Sequence, residues 1–145
     1  MDFFTAMQVS ASGLNAERER LNVSSSNLAN VQTTRTAAGG PYKRRDVVLQ
    51  AESAFDKISG SMAGGSSNAV QSVRVANIAQ DTKPGRLEYD PGHPDANAEG
   101  YVEYPNVNVV EEMVDMITAS RAYEAGVTAL STAVDMAERA MSIGK

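Results

Sequence analysis

The side chains that could act as catalysts or ligands are few, and they gather in one short stretch of the chain. The single histidine, His93, stands between Gly92 and Pro94 in the turn sequence DPGHPD. Histidine can serve as a general base or a metal ligand. However, the sequence has no cysteine to share a metal with His93, and no serine nucleophile motif lies beside it. A hydrolase that uses His93 is therefore the weakest hypothesis, and we predict no catalytic residue.

Three carboxylates near the same turn, Asp90, Asp95 and Glu99, could in principle gather around a calcium ion. Their spacing does not fit the 12-residue loop of an EF-hand, and two prolines interrupt them. No glycine pattern opens a helix after a strand, as a phosphate-binding loop requires. We therefore expect neither a metal site nor a cofactor.

Composition narrows the classes of partner. The net charge of −5 is spread thinly over 145 residues, so nucleic acid is a poor partner. No apolar run approaches the length of about 18 residues that a membrane span needs. The opening MDFFTAMQVSASG lacks a basic n-region and a sustained apolar h-region, so we expect no cleavable signal peptide. A chain of this length can form one folding unit with a modest core.

The element that organises the chain is a long helix predicted at its C-terminal end. Pro105 prevents an earlier start, and Asn108 can cap the first turn. Apolar or small residues then recur alternately four and three apart, which is a heptad pattern and asks for a partner helix. These positions are Val109, Met113, Met116, Ser120, Tyr123, Val127, Leu130, Val134, Ala137 and Met141.

The partner helix is predicted at the N-terminal end, where Met7, Leu14, Leu21 and Leu28 recur at intervals of seven. Small residues fill the positions between them and allow close approach. Weak helix formers in NLANVQTT, residues 27–34, end this helix. A continuous chain returning on itself favours an antiparallel pair, although heptads alone leave the direction open.

The middle of the chain predicts a small β region. Glycines and a proline at 39–41 end any helix, and the densest basic spot follows at Lys43, Arg44 and Arg45. A glycine- and serine-rich loop near 58–68 cannot bury enough surface to become ordered. Alternating polar and apolar residues predict four short strands, at 46–50, 70–78, 86–89 and 101–104.

Together these patterns predict an α+β fold in which two long terminal helices pair as a coiled coil and a small antiparallel β region is inserted between them. The predicted divisions are 1–34 for the first helix, 35–104 for the β region with its mobile loop, and 105–145 for the second helix. The residues predicted to form the coiled coil and a subunit interface are Phe3, Phe4, Met7, Leu14, Leu21, Leu28, Val109, Met113, Met116, Ile117, Tyr123, Val127, Leu130, Val134 and Met141.

Three segments carry a resemblance to a known family: SASGLNAERERLNVSSSNLANVQTTRT, PYKRRDVVLQ, and the stretch that contains GYVEYPNVNVVEEM. They resemble the bacterial flagellar rod and hook family, and most closely its proximal rod members. The matching motif residues are Asn27, Leu28, Ala29, Asn30, Pro105, Asn106 and Val107. One departure is Gly126, where relatives usually have asparagine; glycine weakens a helix by about 1 kcal/mol relative to alanine.

The resemblance implies a structural protein that is exported without a cleaved signal by the flagellar type III export apparatus and assembles into a tubular rod in the periplasm. The implied partners are other rod subunits, basal-body proteins and further copies of the chain, whose binding would order the terminal helices. Lys43, Arg44 and Arg45 are then candidates to meet an acidic patch on an adjacent subunit, although three adjacent cations more often form a solvated face. The alternative is a soluble two-helix coiled-coil adaptor or signalling module. Heptads cannot separate the two, and the NLAN and PNVNVVEEM segments favour the rod.

Overall fold

The computed structural model describes residues 3–53 and 71–143. The elements in chain order are α1 (Phe3–Ala29), β1 (Arg45–Ser53), β2 (Gln71–Gln80), β3 (Arg86–Tyr89), β4 (Tyr101–Tyr104) and α2 (Val109–Ile143). Two terminal helices enclose a small set of antiparallel strands, which confirms the predicted α+β fold. The predicted loop near 58–68 and Val70, the first residue of the second predicted strand, lie outside the described residues.

Side-chain amides shape both helix ends that face the β region. The Oδ1 atom of Asn108 accepts a hydrogen bond from the N–H of Val110 at 3.0 Å, so Asn108 caps α2 as predicted. At the end of α1, the N–H of Asn30 donates to the carbonyl oxygens of Ser26 and Asn27. The Nδ2 of Asn30 donates to the carbonyl of Ser26 as well, at 2.9 Å. Carbonyls that the last turn would leave without a partner are thereby satisfied.

The two helices run antiparallel, as expected from the sequence. Near the end of α1, Asn27 bonds to Glu112 in the first turn of α2. Thirteen residues earlier on α1, the side chain of Leu14 lies against Gly126, fourteen residues further along α2. Moving backwards along one helix therefore means moving forwards along the other.

Strands β1 and β2 form a two-stranded antiparallel sheet. Its register pairs Val47 with Ile78, and Ala51 with Val73, so one face is apolar because alternate residues share a face. A shift in register after Val48 marks a bulge. The sheet packs against α1, where the N–H of Val73 donates to the hydroxyl of Ser12 at 3.1 Å.

Strands β3 and β4 form a second antiparallel pair, closed by a loop whose conformation depends on glycine. Tyr89 and Tyr101 face each other across the pair, with ring centroids 5.3 Å apart. Gly100 has a φ of +83°, and a Cβ there would lie 2.9 Å from the ring of Tyr89. The Oδ1 of Asn97 accepts hydrogen bonds from the N–H groups of Glu99 and Tyr101, which holds the turn.

The apolar core is thin. Among the described residues, the buried aliphatic and aromatic side chains are Ala16, Val23, Tyr42, Val102, Pro105 and Ala119. Neither helix, over the residues that the structure describes, has a stretch long and apolar enough to cross a bilayer. Small side chains at the contact between α1 and α2 let the helices approach closely but bury little apolar area.

Candidate assembly surfaces and the helix-junction cluster

The heptad positions line the contact between the helices only in part. On α1, Met7, Leu14, Leu21 and Leu28 are all half-buried. The half-buried heptad positions on α2 are Met116, Ser120, Tyr123, Leu130, Val134 and Ala137. The tip of Leu14 lies 2.8 Å from the place where a Cβ would stand on Gly126. The glycine therefore makes room for a leucine, in addition to weakening the helix.

The other residues of the predicted interface keep much of their surface in solvent. Phe4 is 75 % exposed, Ile117 54 % and Met141 70 %. Phe3, Val109, Met113 and Val127 are exposed as well. Pairing of α1 with α2 within one chain therefore covers part of the apolar surface that the sequence pattern marks.

One exposed group forms a continuous line on α2, which we call the outer stripe: Val110, Met113, Val114 and Ile117. Their spacing of three and four residues places them on one side of the helix. The buried residues of the same segment, Glu112 and Ala119, lie on the opposite side, toward α1. The outer stripe is thus an apolar helix face that no described part of the chain covers.

A second exposed apolar group lies at the far end of the helix pair, which we call the distal group: Phe3, Phe4, Met136 and Met141. The antiparallel alignment brings the start of α1 beside the last turns of α2. The rings of Phe3 and Phe4 contact each other edge to face, with centroids 6.0 Å apart. Neither ring is buried.

Where α1 ends and α2 begins, four polar residues form what we call the junction cluster: Asn27, Tyr42, Arg44 and Glu112. The Nδ2 of Asn27 donates to the carbonyl of Arg45 at 2.8 Å and to Oε2 of Glu112 at 3.1 Å. Its Oδ1 accepts from the N–H of Arg45 at 3.0 Å and from the hydroxyl of Tyr42 at 2.9 Å. A side-chain amide has two N–H donors and two lone pairs, so all four are in use.

The carboxylate of Glu112 is fully buried and forms a salt bridge with Arg44. Its Oε1 accepts a hydrogen bond from Nε of Arg44 at 2.6 Å. Burial tends to lower the pKa of Arg44, but the hydrogen bond and negative charge of Glu112, with Asp46 and Asp115 nearby, outweigh it and raise the pKa above its ordinary value. Arg44 thus stays charged, and a buried charge with partners avoids most of the penalty of desolvation.

The three basic residues of the predicted contact have different environments. Arg44 points inward to Glu112, and its side chain is 22 % exposed. Lys43 and Arg45 are exposed, and the guanidinium of Arg45 lies 5.5 Å from the centre of the Tyr42 ring. Only Lys43 and Arg45 therefore remain available to meet an adjacent subunit.

The motif residues cluster around the same junction. Leu28 is half-buried, Ala29 is exposed, and Asn30 caps the end of α1. On the other side, Pro105 is buried and Val107 half-buried, while the Nδ2 of Asn106 reaches Oδ2 of Asp81 at 3.5 Å.

The turn that holds the histidine is occupied by structural hydrogen bonds. The Nδ1 of His93 accepts from the N–H of Asp95 at 3.1 Å. The carboxylate of Asp95 accepts from the hydroxyl of Thr34 at 2.8 Å, and that of Asp90 accepts from the N–H of Gly92. Among the described residues, no group of three or more possible ligands is placed to hold a metal ion.

Sequence reasoning did not find the junction cluster. It named Asn27 only as a motif residue, treated Arg44 as one of three equal cations, and did not single out Glu112. The sequence pattern gave no signal for Glu112, because it lies between the heptad positions Val109 and Met113. A carboxylate in the first turn of a helix is ordinary at an exposed position, where it faces the positive end of the helix dipole.

Two family models match the chain. One, described as flagella basal body rod protein, matches residues 7–35, and one described as flagellar basal body rod FlgEFG protein C-terminal matches residues 98–143. These segments contain α1 from Met7 onward and, at the other end, β4 and α2, so the junction cluster draws on both.

Curated relatives match over the whole length. A flagellar basal-body rod protein FlgC of Bacillus subtilis is 46 % identical, with 100 % of both chains covered. One of Borreliella burgdorferi is 44 % identical over 99 % of this chain and 98 % of the relative, and one of Escherichia coli is 38 % identical with 100 % of both covered. The comparisons give no support to a free-standing adaptor. By this likeness over its full length, the chain belongs to the FlgC family of flagellar basal-body rod proteins.

Proposed function

We propose that the protein acts as a structural subunit of the proximal rod, and that its working parts are surfaces rather than a catalytic site. The observation that carries this proposal is the outer stripe, four neighbouring apolar residues that are 50 % to 67 % exposed on one side of α2. An isolated exposed apolar residue is ordinary, whereas a continuous line of them marks a site of association.

Helical packing of subunits follows from where these surfaces lie. The outer stripe begins at the junction end of α2, and the distal group lies at the opposite end of the helix pair. Contacts between different surfaces of successive subunits do not close on themselves when the rotation between subunits leaves an open helix. We infer that the partners are other rod subunits, including copies of this chain, and that the divisions 1–34, 35–104 and 105–145 separate the helix pair from an outward β region.

Location and export belong to the same proposal. A rod that passes from the inner membrane toward the hook lies in the periplasm, and its subunits must reach the growing end. Passage through the flagellar type III export apparatus suits a chain without cysteine, because no disulfide must be undone. A thin core and small side chains between the helices also keep the free energy of unfolding small, which favours unfolding before export.

Incorporation of point variants into the rod tests the proposal. In the native host, with the chromosomal copy replaced, Ile117→Glu places a charge in the outer stripe, while Ala122→Glu places the same charge on an exposed position away from the stripe. We expect Ile117→Glu to be exported but absent from purified basal bodies, and Ala122→Glu to be present.

The proposal fails if Ile117→Glu is incorporated as well as the parent chain. Charged replacements of Leu21 or Leu130 act differently, because both residues are half-buried along the helix pair. We expect them to weaken the pair itself and to prevent incorporation through loss of folding, which circular dichroism of the purified variants distinguishes from a surface effect.

A further inference from the structure

We infer that the junction cluster selects the alignment of α2 along α1, so that Glu112 and its partners act as a register device within the helix pair. The inference goes beyond the proposed function, since it concerns one chain and holds whatever the chain assembles with. Its basis is the contrast between a repetitive apolar seam and a single buried carboxylate.

The apolar seam by itself defines the alignment weakly. Met7, Leu14, Leu21 and Leu28 recur every seven residues, so sliding one helix by seven residues presents a similar set of side chains. These residues are only half-buried, and the buried apolar residue among those described on α2 is the small Ala119. The apolar energy that a slip would forfeit is therefore small.

The junction cluster, in contrast, occurs once. Glu112 has no exposed surface, and its hydrogen-bonding partners are Asn27 on α1 and Arg44. Arg44 is held level with Asn27, because the next residue, Arg45, exchanges two backbone hydrogen bonds with the Asn27 amide. A slip of seven residues moves Glu112 about 10 Å along α1 and separates it from both partners.

The misaligned pairs offer Glu112 no equivalent site. In one slip, Glu112 moves past the end of α1, toward residue 34. In the other, Arg20 comes level with Glu112, but Arg20 already bonds to Glu17 at 3.1 Å and brings that carboxylate with it. A buried charge that loses its partner is strongly destabilising, so the aligned state is favoured over both slips.

Engineered disulfides can report how often each alignment of the two helices occurs, and the natural sequence contains no cysteine that would interfere. The Cγ of Leu14 lies 3.5 Å from the place of a Cβ at residue 126, so side chains at these two positions face each other across the helix pair. Leu14→Cys with Gly126→Cys therefore reports the native alignment. Met7→Cys or Leu21→Cys, each combined with Gly126→Cys, reports a slip of one heptad in either direction. The full-length purified chain is oxidised, and peptide mass spectrometry measures each yield.

Four backgrounds are compared. The parent should give mainly the native disulfide. Asn27→Leu with Glu112→Leu removes the junction hydrogen bonds but keeps bulk, and the excess of native over slipped disulfide should fall at least about tenfold. Glu112→Gln, which keeps the shape without the charge, should give an intermediate ratio. The matched control, Asn22→Leu with Glu111→Leu, alters the same residue types at exposed positions and should leave the ratio unchanged.

Three results would overturn the inference. If the native excess persists in the double variant, the connection before α2 and the bond between Thr34 and Asp95 set the alignment instead. If all three disulfides vanish together, in the double variant and in Glu112→Gln, the cluster holds the helices together and does not choose between alignments. If the exposed control lowers the ratio equally, the effect is general and not specific to Glu112.

Discussion

At the junction end of the helix pair, Asn27 uses all four of its hydrogen-bonding positions and Glu112 is fully buried. At the distal end, Phe4 and Met141 are 75 % and 70 % exposed. The junction end satisfies its buried polar groups within the chain, although the outer stripe, on the side of α2 away from α1, stays exposed. The distal end leaves large apolar groups in water. This contrast is consistent with the proposal that the junction end gives the subunit its internal geometry and that the distal end and the outer stripe contact neighbouring subunits.

The largest effect that tests this comparison is expected at Glu112. Replacing it by alanine removes the nearest carboxylate from Arg44 and one acceptor from the Asn27 amide. Loss of one member of a buried ion pair costs about 3 to 5 kcal/mol. We expect about 3 kcal/mol, because the Arg44 side chain keeps 22 % of its surface exposed. Urea unfolding monitored by circular dichroism measures this loss in the free energy of unfolding.

The matched control for that change is Glu111→Ala, one residue earlier and exposed. It should change the free energy of unfolding by less than about 0.5 kcal/mol. Equal losses in the free energy of unfolding at the two positions would mean that buried Glu112 stabilises the fold no more than an exposed carboxylate does.

A second effect is expected when Asn27 becomes aspartate. Asn27→Asp keeps both acceptor positions but removes the donors to Arg45 and Glu112, and it places a second carboxylate beside Glu112. We expect a loss of about 2 to 3 kcal/mol, the cost of a buried group left unsatisfied together with like-charge repulsion.

The same substitution at Asn22, which is exposed on α1, controls for helix propensity and net charge. If both variants unfold at the same urea concentration, the hydrogen bonds of Asn27 contribute no more to stability than an exposed amide does, and the prediction is wrong.

A smaller effect is expected midway along the pair, at Gly126. Gly126→Ala improves helix propensity by about 1 kcal/mol, but the new Cβ would stand 2.8 Å from the tip of Leu14, which must rotate away. We expect these to cancel to within about 0.5 kcal/mol in the natural chain, and the full gain to appear when Leu14 is already alanine. Equal gains in both backgrounds, measured by thermal unfolding, would show that the glycine does not serve to admit the leucine.

The smallest effect on the single chain is expected at the distal end. Phe4→Ser removes an exposed ring and should change the stability of the purified protein by less than about 0.5 kcal/mol. Incorporation into basal bodies should nevertheless fall, whereas Ala11→Ser, at an exposed position on α1, should be incorporated normally. A marked loss of stability in the monomer would mean that the distal end is already packed within one chain.

The same comparison explains how far the sequence can be interpreted. Periodicity reports which side of an element is apolar, and this was enough to predict both helices and four strands. The antiparallel direction was expected because a continuous chain returns on itself, and heptads alone left it open. Periodicity does not report whether an apolar side faces the same chain or another. Leu14 and Met113 therefore look equivalent in the sequence, although Leu14 lies against Gly126 of α2 and Met113 is 50 % exposed in the outer stripe. The resemblance to rod proteins, rather than the heptads, identified the family.

The polar contacts of the junction cluster could not be predicted from the sequence for a different reason. Asn27 and Glu112 are 85 residues apart, and their contact depends on the alignment of two helices and on the path of the chain through Arg44. Lys43, Arg44 and Arg45 form one basic run in the sequence, yet the alternation of directions along an extended chain separates the inward middle residue from its neighbours. Three-dimensional placement was needed to give these residues different roles.

Amide hydrogen exchange of the dilute, purified protein tests the central contrast most directly. We predict slow exchange around the junction, in residues 23–29 and 112–120, and along β1 and β2, with exchange becoming fast toward Phe3 and toward Ile143. Protection that extends evenly to both helix ends in a monomer would contradict the account, because the distal end would then be stable without neighbours.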